Sequence, residues 1–123
     1  MKDILFWLYL TNTLVLIIHE IDSAYWKEWQ LFHLPGGEAG FLLLHLPLLL
    51  PVLYGLVLIE RDALAGLFLS LVLCCGGLFA FSIHTFFIRR GHPEFKTPVS
   101  QGILWATLLL SPAQLGVTIM ILV

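Results

Sequence analysis

The side chains best able to do chemistry in this chain are imidazoles and carboxylates set among apolar residues. His19, His45 and His84 each interrupt a long hydrophobic run, and Glu20 and Asp22 stand beside the first of them. Histidine with carboxylate is a ligand set suited to zinc or non-haem iron. On this reading His19, Asp22, His45 and His84 would hold a divalent metal, and Glu20 or Asp22 would act as general base toward a substrate. The spacing matches no established local metal motif, so the fold has to bring the ligands together. Two histidines on facing helices could instead ligate a haem iron. Histidines and acids could also relay protons in a small transporter or lipid-binding module. A purely structural reading has each imidazole hydrogen-bonded to a neighbouring helix.

Several polar residues are placed to support such a cluster. Asn12, His19, Asp22 and Trp26 share a stripe at three- and four-residue spacing, so Asp22 could join His19 on one ion or orient its ring. Glu38 precedes His45 by two helical turns and would share its face. His92 and Glu94, in the segment Arg89–Phe95, and Gln101 beyond it, could form a lid or an outer shell over the same end. Each has a plainer role: acids near a membrane surface reach water, His33 and His92 suit solvated loops, and Arg89 and Arg90 snorkel to headgroups.

Membrane spans must position these residues. The chain has 123 residues, 59% of them hydrophobic and 11% charged, and its mean hydropathy is +0.97. Uninterrupted apolar runs of about twenty residues cross a bilayer. A net charge of -2 with no basic patch excludes a nucleic-acid partner. The adjacent Cys74 and Cys75 make no disulfide framework. Four spans are predicted, at about 4–25, 39–59, 63–88 and 98–122, within a single domain covering 1–123. With three short connections they form an all-α integral membrane antiparallel four-helix bundle.

The boundaries are marked by residue type. Leu34-Pro35-Gly36-Gly37 ends the first connection, and Glu60-Arg61-Asp62 is a tight hairpin whose Asp62 reads as the cap of the third helix. Gly91 and Pro93 terminate that helix, and Thr97-Pro98 opens the last. All five histidines then fall toward one membrane face, with His19, His45 and His84 roughly 7–10 Å below it at 1.5 Å per residue. Pro47 and Pro51 free the carbonyls of Leu43 and Pro47 at nearby depths. Cys74-Cys75-Gly76-Gly77 predicts close helix packing, and Thr107, Ser111, Gln114 and Thr118 an interhelical polar stripe.

Lys27, Arg89, Arg90 and Lys96 lie on the histidine side and Lys2 and Arg61 on the other. The positive-inside rule then puts the histidine face in the cytoplasm and both termini outside. The partners implied are the lipid bilayer and a lipid-like or small hydrophobic substrate, and homo-oligomerisation is left open. The stretches His19-Glu20-Ile21-Asp22-Ser23-Ala24-Tyr25-Trp26-Lys27-Glu28-Trp29 and Arg90-Gly91-His92-Pro93-Glu94-Phe95 resemble a small bacterial four-span family of unknown function. The resemblance covers nearly the whole chain and implies an inner-membrane protein without assigning an activity. Length and span number are also similar to those of the small multidrug-resistance transporters. Those place a carboxylate deep in the first helix, whereas Glu20 lies near its end, so that reading is set aside.

Overall fold

The computed structural model describes residues 1–123. It is all helix: α1 (Lys2–Tyr25), α2 (Glu28–Leu31), α3 (Gly37–Glu60), α4 (Leu64–Arg89) and α5 (Pro98–Leu122). All except α2 are long and apolar enough to cross a membrane. Each long helix packs antiparallel against its two neighbours, in the ring order α1, α5, α4, α3, with α1 and α4 on a diagonal. The bundle thus runs up and down without crossovers, as expected from connections this short.

Its polarity is inverted relative to a water-soluble bundle. Trp7, Leu50, Phe79 and Leu109 point outward, while Asn12, Ser70, Gln114 and Thr118 are buried. Lipid solvates the apolar exterior, so burying leucine contributes little; close contact and interhelical hydrogen bonds hold the helices instead. Gln114 is the hub. Its Oε1 accepts from Asn12 Nδ2 at 2.9 Å, and its Nε2 donates to Ser70 Oγ at 2.8 Å. Ser70 in turn meets Thr118 Oγ1 at 2.7 Å, and Thr118 donates back to the Gln114 carbonyl. Three helices are tied through one amide. Gln114→Leu should therefore cost about 1–2 kcal/mol, read as a lower unfolding temperature in detergent.

Small residues permit the close approaches. A β-carbon at Gly77 would collide with the Ser111 hydroxyl across the α4–α5 seam. On the other side of the bundle, Tyr9 donates to the Val52 carbonyl at 2.7 Å with its ring over Gly55, where a β-carbon would strike the hydroxyl.

Most helix boundaries follow the expected signals. Thr97 caps α5 by accepting from the Ser100 amide at 3.2 Å with Pro98 behind it, and Gly91 takes φ +93 after α4. Two features differ. Asp62 does not cap α4; the cap is Ala63 without a side-chain bond, and Asp62 has φ 55. The Asp62 carboxylate is drawn to Lys2 Nζ at 3.0 Å, linking the hairpin to the start of α1. Both partners are well exposed, so Lys2→Ala should leave the unfolding temperature in detergent essentially unchanged. The second difference is the break after α1. Lys27 adopts φ 53 with no glycine or proline nearby, and the chain folds into the single turn α2.

Candidate metal centre

The break at Lys27 decides the composition of the site. By ending α1 at Tyr25 and turning the chain back, it swings Glu28 toward the ends of α1 and α4. There one ligand atom each from His19, Glu28 and His84 lies within 4.8 Å of the others. His19 comes from the last two turns of α1 and His84 from those of α4, so a diagonal pair of helices meets at this end. Their rings touch edge to face with centroids 4.8 Å apart.

The two imidazoles are deeply buried. His19 is 2% exposed and His84 1%. Phe95, itself buried and at φ 67, packs at a tilt against His84 at 4.1 Å and reaches His19 at 5.9 Å. Gln101 Nε2 holds the Phe95 carbonyl at 2.7 Å, and Phe32 closes on His84 from the α2 side. Within this shell Nδ1 of His19, Nδ1 of His84 and Oε2 of Glu28 are all buried with no hydrogen-bond partner. Unpaired buried polar atoms are costly, and each of the three residues that meet here carries one. Burial pushes the Glu28 carboxyl up to about 7, with Ser23 acting in the opposite direction.

His45 is engaged differently. Its Nδ1 lies 2.6 Å from the Phe41 carbonyl and its Nε2 2.6 Å from Glu20 Oε2. A carbonyl can only accept, so Nδ1 carries a proton; the Nε2–Glu20 contact then needs a second one, on either atom. The pair shares that proton. Asp22 Oδ1 accepts from Trp26 Nε1 at 3.1 Å, leaving Oδ2 buried and unpartnered. Of the four ligands expected from the sequence, the structure brings together His19 and His84, joins them to Glu28, and places His45 and Asp22 in separate hydrogen bonds.

The outer residues divide similarly. Asn12 lies well down the bundle in the Gln114 network, and Glu38 is exposed. His92 Nδ1 is 3.7 Å from Glu94 Oε2 on the loop above the cluster. The lid role expected of that loop falls to Phe95, anchored by Gln101. Glu28 was missed because an unbroken sequence gave no sign of the turn at Lys27. Its one visible signal is its setting, an acid between Trp26 and Trp29 at the interface.

A cavity of about 590 Å³ leads from the cluster along the α3–α4 seam. Glu20, Glu28, His19 and His84 line its head, and Pro47, Pro51, Leu73 and Gly76 its length. Phe79, Val72 and Leu44 flank it and are 65%, 62% and 50% exposed, so it opens sideways toward lipid.

Two imidazoles and one carboxylate leave coordination positions free, as in catalytic zinc sites and the facial triads of non-haem iron, whereas structural zinc sites are closed by four protein ligands. No curated protein and no solved structure matches the chain. A family model described as a family of unknown function, DUF6713, matches residues 5–121. With that span covered, the chain belongs to DUF6713.

Proposed function

We propose that this protein is a metal-dependent membrane enzyme in which His19, His84 and Glu28 hold a zinc or iron ion, and that it acts on a lipid-like substrate. The observation that carries the reading is the meeting of three ligand groups, each with an unsatisfied buried atom, at the head of an apolar groove open to the bilayer. When bound, the ion would supply Lewis acidity toward a carbonyl or activate water or oxygen, depending on its identity. The chain supplies the rest. Phe95 and Phe32 exclude bulk water from the ligands. Glu20 lines the groove and shares a proton with His45; with that proton on the imidazole, the Glu20 carboxylate is placed to accept one during the reaction while His45 stays protonated beside it.

Haem is less well supported as the occupant, because rings in edge-to-face contact leave no slot for a macrocycle between them. The Glu20–His45 pair favours a second reading, a proton-coupled transporter. That reading predicts substrate flux that survives chelation and is lost in His45→Ala.

Protein purified without chelators should carry about one zinc or iron per chain and show no porphyrin absorption. A preparation with no stoichiometric ion, and no uptake when zinc or ferrous iron is supplied, would overturn the metal reading.

A further inference from the structure

The depth of the cluster specifies which part of a lipid it can meet. The 26 residues of α4 span ~39 Å, whereas the hydrocarbon core is ~30 Å thick, so a centred helix overhangs by about 4–5 Å at each end. His84 lies about 7–8 Å below Arg89, hence about 3 Å inside the hydrocarbon boundary. That is the level at which a glycerolipid carries its ester carbonyls, with the acyl chains running inward from there.

The groove continues in the same direction. Its α4 wall extends from His84 to Leu69, ~22 Å at 1.5 Å per residue, which exceeds the ~15 Å of one leaflet. It is apolar along this length and polar only at the head. Pro47 and Pro51 keep two amide donors out of the α3 wall, and Gly76 leaves the α4 wall without a side chain. Nothing would lie within 4 Å of a β-carbon added at Gly76. A glycine in the middle of a spanning helix that packs against nothing maintains open space.

The geometry points to one occupant: a single acyl chain of a membrane glycerolipid, seated between α3 and α4 with its ester carbonyl at His19, Glu28 and His84. The chemistry at the carbonyl rests on the proposed metal site; the seating of the chain rests only on the groove. An ester is favoured over a free fatty acid because the head of the groove lies inside the hydrocarbon boundary, where a neutral carbonyl sits without the cost of burying an ionised carboxylate.

The test is photolabelling in phosphatidylethanolamine–phosphatidylglycerol vesicles containing a phosphatidylethanolamine with a diazirine in mid-chain. Label is expected to concentrate on α3 and α4 residues facing the groove, such as Leu48 and Val72. In Gly76→Leu, which fills the groove without a backbone clash, this enrichment should fall to the level on the outer faces of α1 and α5. The same change at Gly116, equally open but on α5, should leave it intact. Even labelling around the bundle, or enrichment unchanged in Gly76→Leu, would overturn the proposal. So would preferential labelling by a diazirine free fatty acid in parallel vesicles. Metal analysis of the same samples separates the two ideas: groove labelling without metal sinks the metal site alone, and metal with even labelling sinks the seating alone.

Discussion

Alanine at His19 or His84 is expected to leave the purified protein without a stoichiometric metal ion. With three protein ligands, removal of one leaves two, and affinity should fall by more than the about 10–100-fold that loss of an outer-shell partner costs. Glu28→Ala should have the same effect, because the carboxylate is the only anionic ligand in the group. Glu28→Gln keeps the size and separates charge from packing; it too should lose the ion. The informative contrast is with two residues that the sequence nominates. His45→Ala and Asp22→Asn should retain metal, since His45 is bonded to Phe41 and Glu20, and Asp22 to Trp26. Metal uptake should weaken as the pH falls through about 7, where the Glu28 carboxyl holds its proton and must release it to bind a cation. Elemental analysis after gel filtration reads every arm. If His45→Ala loses the ion while Glu28→Gln keeps it, the ligand set proposed here is wrong.

The same contrast shows what the sequence could and could not reveal. Spans were legible because hydropathy acts over some twenty residues and needs no partner. The α5 boundary was legible because Thr97 and Pro98 act locally. The stripe Thr107, Ser111, Gln114 and Thr118 was legible because polar groups at one helical spacing turn inward from lipid, where Ser111, Gln114 and Thr118 meet neighbouring helices and Thr107 its own backbone. Asp62 misled because its capping propensity competes with Lys2, sixty residues away in sequence and adjacent only after folding. His19 and His84 do meet, as their positions along α1 and α4 suggest, yet position along a helix does not fix rotation about its axis. His45 sits at a comparable level and turns to Glu20. The decisive feature, a left-handed lysine that carries Glu28 over the bundle, has no composition signature, because only the surrounding packing maintains it.

Leucine at Gly77 should destabilise the protein by about 3 kcal/mol or more, whereas leucine at Gly76 should leave stability within about 0.5 kcal/mol of the parent. Two neighbouring glycines in one helix, given the same substitution, are expected to differ because they face different surroundings. At Gly77 a β-carbon meets the Ser111 hydroxyl, with Thr107 also in contact at 3.8 Å. An alanine there requires only that Ser111 rotate away, giving up its contact with Asn12 at 3.3 Å. A leucine has no such outlet and must push α5 from α4. That motion strains the Gln114 bonds to Ser70, so the packing cost and the loss of the polar network arise together. At Gly76 the added side chain enters open space and also removes the glycine penalty on helix formation. Thermal unfolding of both variants in one detergent measures the difference. Equal destabilisation would mean that the groove beside Gly76 is closed in the folded protein, and would remove the space on which acyl-chain seating depends. A large loss at Gly77 alone would identify the α4–α5 seam as the fixed side of the bundle and leave the α3–α4 side able to admit a ligand.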